Sequence, residues 1–235
     1  MAQAIRLARQ GIYSTHPNPN VGCVIVAQGN VVGCGWHQQA GGAHAEIHAL
    51  REAGEKACNA DVYLTLEPCS YHGRTPPCAD ALVDAGVRRV VVAMQDPNPL
   101  VAGQGLGRLR QAGIAVETGL METQARAMNP GFVSRMQRGR PWVTIKLASS
   151  LDGRTAMASG ESKWISGDAA RRDVQRLRAR SSAIVTGIGT VIADDPSMNV
   201  RLDALQLNGV EPVRQPLRVV MDTRLRMPVQ AKMLS

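Results

Sequence analysis

The feature that most constrains how this chain of 235 residues can fold is a set of metal-binding side chains divided between two segments. The first segment is His44-Ala45-Glu46, and the second contains Pro68-Cys69 and, after an interval, Cys78. One imidazole and two thiolates are a common ligand set for Zn²⁺. A fold that uses all three ligands must therefore bring both segments to one point.

The number of ligands distinguishes two kinds of zinc site. A structural zinc ion is normally held by four protein ligands, whereas three ligands leave a position open for water. Glu46 follows the histidine by two residues, the position of the proton-transferring glutamate in zinc-dependent deaminases. We therefore interpret His44, Cys69 and Cys78 as ligands of a catalytic zinc ion and Glu46 as the general acid and base. Each residue alone is common in proteins without a metal, so the interpretation depends on their ordered combination.

His48 is an alternative ligand, because it lies four residues after His44 on the same predicted helix. A zinc protease would have glutamate directly after the first histidine, and Ala45 stands there instead. We therefore expect His48 to have a structural role. The alternative of a zinc-stabilised binding module without catalytic activity is kept, and its fourth ligand would be His48 or His72.

Alternating helix and strand signals predict a layered α/β fold for the first part of the chain. The predicted strands are 21–27, 31–36, 62–66, 88–94 and 114–118, and the predicted helices are 1–10, 43–53, 78–85, 105–112 and 122–128. Gly29-Asn30 is the predicted turn of a β-hairpin. Sites in such folds form at strand ends and helix starts, which is where the three ligands lie.

A predicted linker, Arg138-Gly139-Arg140-Pro141, separates a domain at 1–138 from a second domain at 139–235. The second domain has predicted strands at 142–147, at 183–186, where the strand should be buried, and at 217–222, and an arginine-rich helix at 168–179. Gly187 to Thr190 begins a short helix of a kind that can bind phosphate, although the full dinucleotide motif is missing. Few elements follow, so we expect this domain to be incomplete.

The net charge of +8 favours anionic partners, either nucleic acid or phosphorylated metabolites. No apolar stretch approaches the roughly 20 residues that cross a bilayer, and we find no continuous apolar leader. We therefore expect a cytoplasmic protein without a membrane partner. An exposed sheet edge in an incomplete second domain makes a homo-oligomer an open expectation.

Five further motifs extend over nearly the whole chain. Two of them include the thiols and three lie elsewhere: Leu64 to Ser70, Gly73 to Cys78, His16 to Gly22, Met94 to Pro99 and Leu151 to Ala156. Together with His44-Ala45-Glu46, they resemble the bifunctional deaminase/reductase family of riboflavin biosynthesis. The most specific feature is the long interval between Cys69 and Cys78, because base deaminases usually have the spacing Cys-x-x-Cys.

This resemblance implies two activities on two domains. An N-terminal domain of cytidine-deaminase-like α/β/α layers would remove an amino group hydrolytically from 2,5-diamino-6-ribosylamino-4(3H)-pyrimidinone 5′-phosphate. A dihydrofolate-reductase-like α/β domain would then reduce the ribose with NADPH, an activity that we expect to be absent at this chain length. The implied cofactors are Zn²⁺ and NADPH, and the implied partner is a phosphorylated pyrimidine rather than nucleic acid.

The resemblance also implies residues for three binding functions. Those for the deaminase substrate are Asn18, His37, Tyr71 and Arg74, those for the cofactor are Ala148, Trp164, Thr190, Asp194 and Thr223, and those for the reductase substrate are Ser162, Arg178, Met198 and Arg201. Arg74 suits a phosphate group. Tyr71 departs from the family, which commonly has histidine there, and a phenol can replace one hydrogen bond of an imidazole but not its charge.

A deaminase of tRNA adenosine or of free nucleosides is the main enzymatic alternative. The zinc motif fits either, and the basic charge favours the tRNA deaminase. The long interval between the two thiols and the second domain argue against both.

Overall fold

The computed structural model describes residues 1–71 and 77–235, which form two compact units, Met1–Val143 and Thr144–Ser235. The first unit contains a mixed five-stranded sheet in the order β2-β1-β3-β4-β5. Its strands are β1 (Gly22–Ala27), β2 (Asn30–Trp36), β3 (Asp61–Leu64), β4 (Arg89–Val92) and β5 (Ala115–Thr118). β1 pairs antiparallel with β2 and β3, whereas β3, β4 and β5 are parallel.

The hairpin between β1 and β2 turns one residue earlier than the sequence predicted. Ala27 pairs with Asn30, so Gln28 and Gly29 are the two turn residues. Both have positive φ angles, 51° and 79° respectively, as a tight hairpin turn of type I′ requires. Asn30 is therefore the first residue of β2 and not part of the turn.

Six helices accompany this sheet within the described residues. They are α1 (Ala2–Ala8), α2 (Ala45–Ala53), α3 (Cys78–Asp84), α4 (Gln104–Gln111), α5 (Glu122–Met128) and α6 (Pro130–Arg138), with 3₁₀ turns at Arg9–Gly11 and Gly54–Ala57. No described helix combines the length and the apolar composition that a membrane span needs. The sequence did not predict α6.

The helices lie on both faces of the sheet. On one face, Ile25, Leu64 and Val92 are fully buried against side chains of α2, α3 and α4, among them Leu82 and Leu109. Successive residues of a strand point to opposite faces, so Gly22 and Val24 of β1 face the other way, toward α1. The result is the α/β/α layering that the sequence predicted.

The second unit contains two parallel strands, β6 (Ala183–Gly187) and β7 (Leu217–Met221). Its helices are α7 (Asp168–Arg180) and α8 (Ile188–Asp194), with 3₁₀ turns at Leu205–Leu207 and Lys232–Leu234. A small cluster of buried side chains stabilises it, formed by Ile188, Val191, Ala231 and Met233.

Two predictions for this region were wrong. Residues 142–147 form no strand in the described structure, and Val143, Ile145 and Leu147 are 72%, 79% and 81% exposed. Strand β6 does form, but it is not buried, since Val185 is 60% exposed. Apolar β-branched residues favour a strand only where a neighbouring strand supplies hydrogen bonds and a packed layer covers the sheet.

Candidate metal centre

The three predicted ligands come from the starts of two helices and the segment after one strand. His44 is the N-cap residue of α2, immediately before the first turn in which the sequence placed it. Cys69 follows β3, and Cys78 is the first residue of α3, with Pro77 as its N-cap. The first-turn N–H groups of a helix lack partners within the helix and carry partial positive charge, and that of Cys78 donates to Sγ of Cys69, which favours thiolate at Cys69.

The ligand atoms lie at distances that fit one metal ion. The imidazole Nδ1 of His44 is 3.2 Å from Sγ of Cys78 and 3.5 Å from Sγ of Cys69. All three atoms lie within 4.8 Å of one another. A tetrahedral zinc ion separates a nitrogen ligand from a sulfur ligand by about 3.6 Å. The donor set and its spacing therefore fit Zn²⁺.

Hydrogen bonding within the cluster separates the acidities of the two thiols. The side chain of Cys78 lowers the pKa of Cys69 to about 4, against the effect of burial, and His44 and the Cys78 backbone N–H shift it in the same direction. The same interaction with Cys69 raises the pKa of the Cys78 thiol. A hydrogen bond between His44 and Cys69 raises the pKa of the His44 imidazole, against the effect of burial. Negative charge is thus concentrated on a sulfur atom that faces the other two ligands.

Glu46 lies in the first turn of α2 with only 3% of its surface exposed. Its Oε2 atom is buried and has no hydrogen-bond partner among the described residues. Burial raises the pKa of Glu46 to about 7, in the range of groups that both accept and return protons at neutral pH. A buried carboxylate oxygen without a partner is costly, and a bound ligand would compensate for it.

Two glycines of the hairpin determine how closely α2 approaches the sheet. A Cβ atom at Gly33 would lie 2.2 Å from the carbonyl oxygen of Ala49, and one at Gly35 would lie 2.1 Å from that of Ala45. Any larger residue would therefore push the helix away. The hairpin thus places the beginning of α2, and with it His44, directly over β2.

Asn18 and His37, two of the residues implied for the deaminase substrate, lie beside this cluster. Nδ1 of the buried His37 is 3.1 Å from the carbonyl oxygen of Ala43, which can only accept, so Nδ1 carries the proton. Nε2 then accepts from the side-chain amide of Asn18 at 3.0 Å. Burial lowers the pKa of His37, which favours this neutral form. The His37 ring meets the His44 ring edge-on at 5.6 Å.

A contact that the sequence analysis missed holds the loop of Asn18 in place. The backbone N–H of Asn20 donates to Oδ1 of Asn129 at 2.7 Å, and Nδ2 of Asn129 donates to the carbonyl oxygen of Asn20 at 2.9 Å. Asn129 is 6% exposed and lies at the junction of α5 and α6. No sequence signal connected it with a loop 109 positions earlier.

Of the other two residues implied for the deaminase substrate, Tyr71 is among the described residues and Arg74 is not. Tyr71 is 56% exposed. Arg74 lies outside the described residues, as does His72, the fourth ligand considered for a closed zinc site. His48, the other alternative, does not belong to the ligand cluster of the described chain, and its Cβ lies close to Gly35 of β2.

In the second unit, three of the residues implied for the reductase substrate lie close together. Arg178 donates to the carbonyl oxygen of Asn199 at 3.0 Å, and its guanidinium is 3.8 Å from Sδ of Met198. Burial lowers the pKa of Arg178, and the charge of Arg201 contributes in the same direction. The fourth, Ser162, lies in a segment without regular structure.

The residues implied for the reductase cofactor are spread along the second unit. Trp164 is 72% exposed, with the guanidinium of Arg171 stacked 4.3 Å from its ring centre. Thr190 and Asp194 are exposed residues of α8, whereas Ala148 and Thr223 lie in irregular segments. These five residues are thus distributed over several separate segments of the second unit.

Comparisons with known proteins connect both units with one family. Residues 1–94 match the family described as the cytidine and deoxycytidylate deaminase zinc-binding region, and residues 141–235 match the RibD C-terminal domain. The chain is 60% identical to the riboflavin biosynthesis protein RibD of Escherichia coli K12 over 231 residues, 96% of this chain and 63% of that protein. This chain belongs to the RibD family. Its membership confirms the family that the sequence motifs predicted.

Other RibD proteins are also similar to this chain over nearly its whole length. RibD of Aquifex aeolicus is 46% identical over 235 residues, which is 100% of this chain and 64% of that protein. The structure of Acinetobacter baumannii RibD matches with a TM-score of 0.92 at 56% identity, covering 100% of this chain and 65% of that one. This RibD-family chain therefore spans less than two thirds of the length of these relatives.

A second solved structure carries both expected activities in its name. It is the diaminohydroxyphosphoribosylaminopyrimidine deaminase/5-amino-6-(5-phosphoribosylamino)uracil reductase of Thermotoga maritima, with a TM-score of 0.86 and 39% identity. The match covers 95% of this chain and 62% of that one. These RibD structures confirm the predicted fold class, a deaminase-type α/β domain followed by a reductase-type domain.

Proposed function

We propose that the first unit is a zinc-dependent deaminase of riboflavin biosynthesis, which removes an amino group from 2,5-diamino-6-ribosylamino-4(3H)-pyrimidinone 5′-phosphate by hydrolysis. The observation that carries this proposal is the cluster of His44, Cys69 and Cys78 beside the buried carboxylate of Glu46, whose Oε2 has no hydrogen-bond partner among the described residues. Family membership supports the choice of a pyrimidine of the riboflavin pathway over tRNA or a free nucleoside. The deaminase domain would comprise residues 1–138.

In this mechanism His44, Cys69 and Cys78 would hold the metal, and a bound Zn²⁺ supplies Lewis-acid activation of water. Glu46 takes a proton from the attacking water as the C–O bond forms. It gives this proton to the pyrimidine ring nitrogen, and it then takes the proton of the new hydroxyl group and passes it to the departing nitrogen. The C–N bond breaks as the C=O bond forms, so ammonia leaves. The burial of Glu46 excludes bulk water from these transfers.

Asn18 and His37 would bind and orient the pyrimidine. A neutral imidazole and a primary amide suit an uncharged ring that both donates and accepts hydrogen bonds. The bond between them restricts each to one orientation, which lowers the cost of binding a rigid ligand. By resemblance, Tyr71 and Arg74 would complete the substrate site, with Arg74 on the phosphate.

The second unit, within residues 139–235, would belong to an NADPH-dependent reductase that acts on the deaminated product. Arg178 and Arg201 offer two guanidinium groups for its phosphate, and Met198 lies in contact with Arg178. Ser162 would complete this substrate site, and Ala148, Trp164, Thr190, Asp194 and Thr223 would contact the cofactor.

The deaminase proposal is tested by measuring ammonia release from the phosphorylated pyrimidine together with bound zinc. We expect one zinc per chain and ammonia release by the wild-type chain. Glu46→Gln should retain zinc and lose activity by a factor of about 100 or more. Activity of Glu46→Gln near the wild-type level, or inactivity of the zinc-loaded wild-type chain, would contradict the proposal.

Two controls separate this function from its alternatives. Adenosine-containing tRNA and free cytidine should release no ammonia, and release from tRNA would favour the tRNA deaminase. His48→Ala and His72→Ala should each retain zinc. Loss of the metal in either variant would indicate a closed site with four protein ligands and a binding module without chemistry.

A further inference from the structure

Glu67 is a buried carboxylate two residues before Cys69 and is 6% exposed. Its two oxygen atoms accept hydrogen bonds from four backbone N–H groups. The donors to Oε2 are Asp96 and Gly103, both at 3.0 Å, and the donors to Oε1 are Gly105 at 2.9 Å and Leu106 at 3.3 Å.

These donors belong to two segments that are separate from β3. Asp96 lies in the turn after β4, and Gly103 to Leu106 form the beginning of α4, where N–H groups have no partner within the helix. Glu67 therefore connects the chain just before Cys69 with the β4–α4 turn and the N-terminus of α4. Its own backbone N–H donates to the carbonyl oxygen of Met94 at 3.0 Å.

The backbone beside Glu67 is also in close contact with α4. A Cβ atom at Gly105 would lie only 2.0 Å from the carbonyl oxygen of Pro68. No side chain separates α4 from the residue that precedes Cys69. The helix and the segment carrying the thiol are thus held at the shortest distance that their backbones permit.

On its other side, Cys69 is attached to α3. Its carbonyl oxygen accepts from the backbone N–H of Ala79 at 3.0 Å, and its Sγ accepts from that of Cys78 at 3.2 Å. The segment 67–69 is therefore fixed at one end by α4 and at the other by α3. The attachment to α4 depends on the side chain of Glu67, whereas the attachment to α3 uses the carbonyl oxygen and Sγ of Cys69 itself.

We propose that Glu67 is a positioning residue for the metal centre, which holds the backbone before Cys69 against α4 so that the thiolate meets His44 and Cys78. This inference rests on the proposed assignment of those three residues as zinc ligands. A carboxylate is required because all four neighbours are donors. Glutamine has the same shape, but its NH₂ group would face N–H donors that it cannot satisfy.

The test compares wild-type protein with Glu67→Gln and Glu67→Asp in the full chain. We would measure zinc affinity by competition with a chromogenic chelator, and the absorption of the Co²⁺-substituted protein, whose thiolate-to-cobalt and d–d bands report ligand geometry. We expect Glu67→Gln to weaken zinc binding by about tenfold or more and to alter the cobalt spectrum. Glu67→Asp keeps the charge with a shorter reach, so we expect a smaller loss.

Glu122→Gln is the matched control, because Glu122 is a partly exposed residue of α5 that pairs with Arg126 far from the ligands along the chain. It should bind zinc and cobalt as the wild type does. A residue that only stabilised α4 would lower the unfolding temperature and leave the metal affinity and cobalt spectrum of the folded protein unchanged. That result for Glu67→Gln would overturn the inference.

If Glu67→Gln does not fold, Glu67→Asp decides the question by the same two measurements. Weaker binding with an altered spectrum supports the inference, and wild-type values overturn it. Failure of the wild-type chain to bind either metal would instead refute the ligand assignment, and this inference with it. The two failures are therefore distinguishable.

Discussion

Around the ligand cluster, single polar groups of the backbone and side chains determine which neighbouring atoms donate hydrogen bonds and which accept them. The Ala43 carbonyl oxygen fixes the proton of His37 on Nδ1, and the imidazole then accepts from Asn18. Asn129 does the same for the backbone of Asn20, offering an acceptor and a donor from one amide. Because these groups are largely buried, each orientation has few alternatives, and the proposed substrate site is organised before a ligand arrives.

The contact between Asn129 and Asn20 predicts a specific defect in substrate binding. Asn129→Ala removes three hydrogen bonds that hold the loop of Asn18, so we expect a loss of about 1–3 kcal/mol of stability. The KM for the phosphorylated pyrimidine should rise several-fold, with a smaller effect on kcat, because Glu46 and the ligands are untouched. Steady-state kinetics measure this, with Asn30→Ala in the hairpin as a control.

A rise in KM for Asn129→Ala that matched the change in Asn30→Ala would contradict this role. So would a fall in kcat at unchanged KM. Zinc content measured on the same samples separates a loop effect from a loss of the metal.

Among the elements, α2 approaches β2, and α4 approaches the segment after β3, through glycines. Gly33 and Gly35 allow the backbone of α2 to lie on the hairpin, and Gly105 allows α4 to touch Pro68. These contacts locate the starts of two helices relative to the sheet. The metal centre depends on them because His44 and Glu46 lie at such a start.

Replacement of one of these glycines should therefore displace a ligand. Gly35→Ala would place a Cβ atom 2.1 Å from the carbonyl oxygen of Ala45, so α2 must shift. We expect a loss of stability of about 1–3 kcal/mol, together with weaker zinc binding. Denaturant unfolding and chelator competition measure the two effects.

Gly107→Ala is the matched control for this substitution. Gly107 lies within α4, and nothing would meet its Cβ within 4 Å. Alanine has a higher helix propensity than glycine, so the free energy of unfolding of this variant should rise by about 0.5–1 kcal/mol. Its zinc affinity should stay unchanged. Equal behaviour of the two variants would show that close approach of α2 is not required.

An ion-pair network joins the beginnings of β3 and β4. The carboxylate of Asp61 accepts from Arg88 at 2.8 Å and from Arg89 at 2.7 Å. Burial alone would raise the pKa of Asp61, but these hydrogen bonds and charges lower it below the ordinary value. A lowered pKa in the folded state means that this carboxylate stabilises the fold at neutral pH.

The pH dependence of that stabilisation has a definite sign. It is fully present above the pKa of an unfolded aspartate, about 4, and is lost as the pH falls through the lower pKa of the folded state. Asp61→Asn should therefore lower the denaturant midpoint at pH 7, and the difference from wild type should shrink toward pH 3. A difference that stayed constant over this interval would exclude the ion pairs as its cause.

At the scale of the whole molecule, the proposed zinc site belongs entirely to the first unit. All three ligands and Glu46 lie within Met1–Val143, and the second unit has its own small cluster of buried residues. Binding of a ligand to the folded form alone stabilises only the part of the chain that unfolds with it. Metal binding should therefore affect the two units differently.

Zinc removal tests this expectation. Dialysis against a chelator should lower the unfolding temperature of the first unit. Returning zinc at about 100 times its Kd should raise the free energy of unfolding of that unit by about 2.7 kcal/mol. Signals from the second unit, such as proteolysis within residues 144–235, should change little. Cys69→Ala and Cys78→Ala should show no zinc-dependent shift, and a shift of wild-type size in either variant would contradict the ligand assignment.

Much of the first unit was predictable because its elements follow local rules. The order of strands and helices was indicated by the apolar periods, the glycines after helices and Pro77 before Cys78. The predicted bounds of strand β5 and helix α5 agree closely with those of the structure. Helix α6 begins at Pro130, and proline is favoured at the first position of a helix, so the sequence analysis missed a local signal for its start. Phe132 and Val133 stabilise it by packing against Leu66 and Met94, which no local pattern reveals.

The sequence alone predicted the proposed metal ligands and the proposed proton-transferring residue Glu46, because chemistry depends on side-chain type and these residues stand in a distinctive order. Only the tertiary structure showed that His44 meets both thiols, that Glu67 holds the start of α4, and that Asn129 holds the loop of Asn20. Those contacts join residues separated by 34, 38 and 109 positions. Their partners are selected by how the sheet and helices pack, and that information is distributed over the whole unit rather than present in any one segment.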